Sequence, residues 1–341
     1  MDQEKLINIA NKLVISKKGV LAADESSNTI KKRFDSIKVD STETNRRDYR
    51  EMLFNTEGIS ESISGVILYD ETIRQNASTG IPLVELLKQQ GIIAGIKVDK
   101  GLKPIPGYED ESYTEGLDGL EDRLDEYRNI GAQFTKWRGV INIGQNIPSG
   151  NCIKINSHSL ARYAALSQKA GLVPIVEPEV LMDGSHDISR CYQVTKDTLR
   201  EVFYALGEQG VDLRGILLKP NMVLSGKDSV NRAGAKEVAY QTLNCFAETV
   251  PVAVPGIVFL SGGQGDEEAT VNLNSINLRA KEFKAPWELS FSYGRGLQAA
   301  PLKAWNGKEE NKISAQKVFY ERSNICLLYT SDAADEGLGV D

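Results

Sequence analysis

The segment Gly215-Ile-Leu-Leu-Lys219-Pro220-Asn221 places three aliphatic residues directly before a lysine and a proline. So short and apolar a run reads as a strand buried on both faces. Pro220 biases Lys219 toward an extended backbone and ends regular pairing. Lys219 then stands at the mouth of an apolar strand, where loss of hydration favours the free amine. A free amine can attack a carbonyl and form a Schiff base. Read alone, a lysine at a strand end is more often simply solvated, so the rest of the chain has to decide.

Working outward, seven more short apolar segments resemble this one. They are Gly19–Asp24, Ser64–Asp70, Ile92–Lys97, Ala132–Arg138, Leu172–Glu177, Gly256–Ser261 and Glu288–Tyr293. With Arg214–Lys219 in sixth place, the eight starts fall 45, 28, 40, 40, 42, 42 and 32 residues apart. Helical patterns lie between them. Leu117, Leu120, Leu124 and Tyr127 share a face before Gly131, and Ser159–Ala170, Asp187–Gln209 and Asp266–Ile276 read likewise. Asp266, Glu267 and Glu268 complement the dipole of the last of these. Strand and helix alternating eight times predicts an α/β fold, a parallel eight-stranded (β/α)8 TIM barrel in a single domain, ahead of an open doubly wound sheet. Lys103–Thr114 is expected to be a long surface loop. No strand is followed by G-x-G-x-x-G or a P-loop, so nothing supports a dinucleotide or Walker-type site.

The bulk composition narrows the class. The chain has 341 residues, 41% hydrophobic and 26% charged, as in ordinary globular proteins. A net charge of −7 argues against a general nucleic-acid or anionic-membrane binder. No run approaches the length of a membrane span. The four cysteines, Cys152, Cys191, Cys245 and Cys326, form no C-x-x-C and point to a reducing compartment. Met1–Lys5 opens a short amphipathic helix without a signal-type apolar region, so a cytoplasmic location is expected.

In a barrel of this kind the chemistry sits at the C-terminal strand ends. Here those ends carry Asp24 with Glu25 and Ser26, Lys97, Lys136 and Arg138, Glu177 and Glu179, Lys219, Ser261-Gly262-Gly263, and Tyr293-Gly294-Arg295. Only the second, Tyr69-Asp70-Glu71, suggests no role. Lys136 and Arg138 share one strand face with Trp137 opposite, and so do Glu177 and Glu179 if the strand continues through Pro178. Cations near Lys219 would lower its affinity for a proton further, and a nearby carboxylate could serve acid–base steps on an amine–carbonyl adduct. Ser261-Gly262-Gly263-Gln264 before a helix can cradle a phosphate, and Arg295 offers a fork for its oxygens. His158 and His186 are the only histidines, and both are expected on the surface or at helix ends. With no H-x-H or H-E-x-x-H, a metal site is not expected.

These segments carry a resemblance. Residues 19–33 (GVLAADESSNTIKKR), 95–101 (GIKVDKG), 116–120 (GLDGL), 134–138 (FTKWR), 173–180 (VPIVEPEV), 217–223 (LLKPNMV), 259–264 (FLSGGQ) and 291–295 (FSYGR) are similar to class I fructose-bisphosphate aldolases, the metal-independent Schiff-base type. The resemblance runs from about residue 4 to residue 324 with the motifs in order. It implies reversible cleavage of fructose 1,6-bisphosphate to dihydroxyacetone phosphate and glyceraldehyde 3-phosphate, in glycolysis and gluconeogenesis. It implies Lys219 as Schiff-base nucleophile and Glu177 as acid–base group, with Lys136 and Glu179 in electrostatic support and Asp24 accepting the C4 hydroxyl proton. Ser261, Gly262, Gly294 and Arg295 would hold the C1 phosphate. Ser26, Arg33, Lys97 and Arg138 would line the C6-phosphate side. It further implies no cofactor and no metal, a sugar-bisphosphate substrate, no nucleic-acid or membrane partner, and a homotetramer. The competing readings are a Schiff-base lyase for a monophosphorylated sugar and a non-catalytic sugar-phosphate-binding scaffold. Residues 325–341 depart from the family pattern and lack its terminal tyrosine, which assists proton transfer at C3. They are expected to form a non-family tail, disordered or artefactual, resembling translated adapter sequence. Without the native tail, proton transfer would slow more than C–C cleavage.

Overall fold

A computed structural model describes residues 2–328. Eight parallel strands close into a barrel, as the spacing predicted. They are β1 (Gly19–Ala23), β2 (Ile63–Leu68), β3 (Ile93–Lys97), β6 (Phe134–Ile141), β7 (Val173–Val180), β8 (Leu217–Leu218), β9 (Gly256–Phe259) and β10 (Glu288–Tyr293). Around the ring the order is β1-β10-β9-β8-β7-β6-β3-β2. The predicted surface loop Lys103–Thr114 instead contains most of an antiparallel hairpin, β4 (Leu102–Pro104) with β5 (Ser112–Thr114), so that expectation is corrected. Its strands are too short and too polar to show a period-2 signal.

Alternation along each strand separates two cores. Phe134, Val173, Ile175, Leu217, Val20, Ala22 and Val258 fill the barrel interior, while Trp137, Val176, Val180 and Leu218 belong to the shell between strands and helices. Because the period is two, continuing the inward series gives Lys136 and Arg138 on β6, Glu177 and Glu179 on β7, and Lys219 just past β8. The inner face is thus apolar below and charged above. The helix Gln3–Leu13 packs Leu6, Ile9, Ala10 and Leu13 into the interior cluster and closes the lower end. On the outer side Trp137 stacks on Tyr163, with ring centroids 5.5 Å apart, and Tyr163 Oη donates to Ile175 O at 3.1 Å. That contact locks the backs of β6 and β7 beneath their charged tops.

Two strands run past their sequence-based ends. β6 and β7 pair from Phe134↔Val173 to Ile141↔Val180, including Arg138↔Glu177 and Gly139↔Pro178. The strand does continue through Pro178, so Glu177 and Glu179 share the inner face. Val173 N and Leu181 N donate toward β6 (Gln133 O and Ile141 O), whereas Val180 N donates to Asn221 Oδ1 at 3.1 Å. Pro178 therefore lacks its N–H on the β8 side, where the partner strand has already ended. β8 itself is the shortest strand. Leu213–Gly215 is a 3-10 turn, and only Leu217 and Leu218 form ladder pairs before Lys219 N donates to Val176 O at 2.8 Å.

The helices Gly150–Lys169, Ile188–Glu208 and Asp266–Phe283 cover the predicted helical stretches and extend the first and third. Leu120–Ile130 ends at Gly131, which has φ 123° and donates its N–H to Tyr127 O and Arg128 O. The four cysteines are buried and unpaired. The helix Lys312–Leu328 runs through Cys326, a residue with 0% exposure. The rest of the tail expected at 325–341 lies outside the described residues.

Candidate active site

The upper mouth of the barrel holds a cavity of about 510 Å³. All thirteen residues singled out from the sequence line it, together with Ala22, Glu25, Thr29, Leu260, Gly263 and Ser292. Lys219 is 4% exposed, and its Nζ lies 3.1 Å from Glu177 Oε1. Lys136 Nζ lies 3.1 Å from Glu177 Oε2 and 2.6 Å from Asp24 Oδ2. The four groups alternate in sign: Asp24, Lys136, Glu177, Lys219. Arg138 Nε donates to Glu179 Oε2, and Lys97 Nζ pairs with Asp99 Oδ1 at 3.1 Å.

Burial and charge oppose each other here. Burial pushes the Asp24 carboxyl up, but Lys136, Lys219 and Lys97 outweigh it and hold Asp24 well below the usual carboxylate range. Burial would likewise raise Glu177, and Lys136, Lys219 and Arg138 reverse the shift. Burial would lower Lys136, yet Asp24, Glu177 and Asp99 hold it well above an ordinary lysine. Both acids are therefore carboxylates and Lys136 is a fixed cation at neutral pH.

The opposite wall is built from two turns. Ser261-Gly262-Gly263-Gln264 follows β9 and leads to the helix Asp266–Phe283, and Gly294 follows β10 and precedes the helix Arg295–Trp305. Arg295 Nη2 donates to Gln264 O at 3.1 Å, tying the turns together. A Cβ on Gly262 would lie 2.8 Å from Glu179 Oε1. Gly263 has φ +76°, and a Cβ there would lie 2.3 Å from Met182 Cβ. Gly263 therefore requires glycine, whereas a side chain at Gly262 would have to displace the Glu179 carboxylate. The wall thus brings together the N-terminal ends of two helices, a setting that suits an anion.

On the third side, Ser26 caps the helix Ser27–Asp35, accepting from Thr29 N at 3.4 Å. Thr29 and Arg33 are one turn apart on that helix and both reach the cavity. The sequence reading missed Thr29, although its i, i+4 spacing to Arg33 was a usable signal. Glu25 and Ser292 also line the cavity, yet the sequence suggested no task for either. The unexplained second strand end acquires contacts too: both Glu71 oxygens accept from Arg46. His158 is exposed on a helix and His186 precedes the helix cap Asp187, away from the cavity. Among the described residues no group of three or more His, Cys, Asp or Glu side chains could hold a metal ion.

The barrel mouth thus joins a buried lysine paired with one carboxylate, Lys219 with Glu177, to the two turns after β9 and β10. The family model described as Fructose-bisphosphate aldolase class-I matches residues 5–334. The chain belongs to the class I fructose-bisphosphate aldolase family. A probable class 1 fructose-bisphosphate aldolase of Xanthomonas axonopodis pv. citri is 54% identical over 324 residues, 95% of this chain and 96% of that one. Cytosolic fructose-bisphosphate aldolase 4 of Arabidopsis thaliana is 53% identical over 307 residues, 90% of this chain and 77% of the relative. Among solved structures, the aldolase of Plasmodium falciparum, in complex with TRAP and a small-molecule inhibitor, superposes with a TM-score of 0.94. It is 50% identical, and the match covers 96% of this chain and 94% of that one. This chain is accordingly a class I fructose-bisphosphate aldolase, a lyase of glycolysis.

Proposed function

We propose that Lys219 forms the Schiff base in this aldolase, and that Glu177 is its proton partner. The observation that carries the reading is the 3.1 Å contact between Lys219 Nζ and Glu177 Oε1 in a buried site. Proton transfer across that contact yields at once the free amine that attacks C2 of the sugar and the acid that the next step needs. Glu177 then gives its proton to the carbinolamine oxygen, and water departs. The resulting iminium withdraws electrons from C3. Asp24, held as a carboxylate, takes the C4 hydroxyl proton while the C3–C4 bond breaks and its electron pair enters the iminium as an enamine. Glyceraldehyde 3-phosphate leaves. Protonation at C3 and hydrolysis release dihydroxyacetone phosphate and restore Lys219. Lys136 keeps Asp24 and Glu177 ionised side by side, and Glu179 orients Arg138.

Ser261, Gly262, Gly294 and Arg295 hold the C1 phosphate in this reading, and Ser26, Arg33, Lys97 and Arg138 serve the C6-phosphate side. Cationic groups on both sides of Lys219 favour a bisphosphate over a monophosphorylated sugar. A cytoplasmic location and a homotetramer complete the proposal. The Arabidopsis relative is named cytosolic, and among the described residues no helix is long and apolar enough to cross a membrane. The tetramer rests on resemblance to the family, and sedimentation would test it.

Borohydride trapping with dihydroxyacetone phosphate in EDTA, read by mass spectrometry, tests the chemistry. The expected result is an adduct on the peptide carrying Lys219, absent in Lys219→Ala. Cleavage activity that survives in Lys219→Ala, or that EDTA abolishes while no adduct forms, would overturn it.

A further inference from the structure

Glu25 is the one cavity carboxylate that this mechanism leaves unused. It is 7% exposed, and its Oε1 accepts from Arg33 Nη1 at 2.6 Å and from Gln298 Nε2 at 2.7 Å. Gln298 Nε2 also donates to Ala22 O at 2.7 Å, which fixes that amide to the end of β1. Glu25 Oε2 accepts no hydrogen bond and lies 3.9 Å from Arg50 Nη2. Arg50 is 1% exposed. Its Nη2 donates to Glu25 O at 2.9 Å, and its Nη1 lies 3.6 Å from Glu71 Oε1. Glu71 is held in turn by Arg46. From the cavity wall inward runs a line of alternating charge: Arg33 and Glu25 in the wall, then Arg50, Glu71 and Arg46 behind it.

The two arginines on Glu25 differ in freedom. The Arg50 side chain is sealed, whereas that of Arg33 is 23% exposed. Arg33 Nη2 also lies 3.8 Å from where a Cβ on Gly294 would sit, so the guanidinium spans the space between Glu25 and the β10 turn. We propose that Glu25 holds Arg33 until a substrate phosphate takes it over, and that Arg50 is the positioning residue that keeps Glu25 in place after the exchange. A buried carboxylate stripped of its cation would otherwise follow the arginine. With Arg50 and Gln298 in place, Glu25 stays, and it recaptures Arg33 when the phosphate departs. Arg33 thereby moves between two anions, one permanent and one supplied by substrate. The inference rests on the reading of Arg33 as a phosphate ligand.

Competitive inhibition by inorganic phosphate and the KM for fructose 1,6-bisphosphate test it, with thermal melts to verify folding. Glu25→Gln keeps the shape and removes the competing charge, so the inhibition constant should fall by about threefold or more, with the change in KM rather than in kcat. Arg50→Met should raise the inhibition constant, because Arg33 is then the only cation left on Glu25, and Arg50→Lys should recover part of the loss. In a Glu25→Gln background Arg50→Met should no longer weaken phosphate binding. If Arg50→Met does not fold, Arg50→Lys and its combination with Glu25→Gln carry the same comparison. An unchanged or higher inhibition constant in Glu25→Gln overturns the exchange. Should Arg33→Ala itself leave phosphate inhibition unaltered, the ligand reading fails instead, and the two failures are thus distinguishable.

Discussion

Lys136 Nζ lies 2.6 Å from Asp24 Oδ2, a contact across the barrel mouth between strands that do not pair with each other. The same ammonium reaches Glu177, so one cation serves two carboxylates with different proposed tasks. Removing it sets two buried negative charges against each other, and one would take up a proton. Lys136→Met is expected to lower kcat on the order of 10²–10⁴-fold, the range for losing acid–base function. Steady-state cleavage assays measure this, and a kcat within about tenfold of the parent would count against the assignment.

The pH dependence follows from the directions of these shifts. Asp24 and Glu177 have folded-state values below their ordinary ones. Their stabilisation is complete above the ordinary carboxylate range and is lost as pH falls through the depressed folded values. Lys136 is shifted upward, so its contribution is complete below the ordinary lysine value and is lost only as pH rises through the raised one. Thermal melts of the parent should therefore show no loss from this cluster between about pH 6 and pH 9. In Lys136→Met the carboxyl values rise, and the acid limb should begin at higher pH. An identical acid limb in both proteins would contradict the coupling.

Gly262→Ala would bring a methyl within 2.8 Å of Glu179 Oε1 and 3.1 Å of Leu260 Cδ1. The carboxylate is the movable partner, so the strain should be relieved by disturbing the Arg138–Glu179 pair. The expected cost is about 1–3 kcal/mol of stability and a raised KM for phosphorylated substrate. Gly263→Ala adds a positive φ and a clash with Met182 close to its backbone, so it should lose more stability than Gly262→Ala. Denaturant titration of both variants ranks them, and the reverse order would refute this account.

Asn221 stands in for the missing end of β8. Its Oδ1 accepts from Val180 N, and its Nδ2 donates to Thr195 Oγ1 at 3.1 Å and Met222 O at 3.0 Å. Asn221→Ala leaves a buried N–H without a partner beside Glu179, at a cost of about 1–3 kcal/mol. Loosening the top of β7 should also slow borohydride trapping at Lys219. Parent-like trapping in a correctly folded Asn221→Ala would show that the Lys219 segment does not depend on this contact.

Much of this site was legible because a parallel barrel turns strand periodicity into position. Lys136, Arg138, Glu177 and Glu179 fall on the inner face by counting in twos, and Lys219 stands out against its aliphatic strand. The strand ends were less legible. β6 and β7 continue to Ile141 and Val180 because they pair with each other, and pairing is not a property of either segment alone. Arg214 and Gly215 read as the start of the sixth strand yet wind into the turn Leu213–Gly215, since its partners come from the helix Gln3–Leu13 and Gln168 rather than from a neighbouring strand. Arg50 was least visible. Nothing in Glu43–Phe54 marks one arginine as sealed behind the cavity while its neighbour Arg47 faces Asp48 near the surface. The difference arises only when Glu25 and Glu71 arrive from two other elements.

The cavity wall bears six basic groups, Arg33, Lys97, Lys136, Arg138, Lys219 and Arg295, against four acids, Asp24, Glu25, Glu177 and Glu179, on a chain whose net charge is −7. A bisphosphate thus meets a molecule of net negative charge whose recessed opening carries an excess of basic groups, where low-dielectric walls concentrate the field. Encounter is steered to that opening and should slow as salt shortens the reach of the field. Cleavage then divides the ligand's charge. With the phosphate sites placed as proposed above, each product keeps one phosphate and would engage only part of the cationic wall, so the bond-breaking step itself would loosen the grip on what it makes.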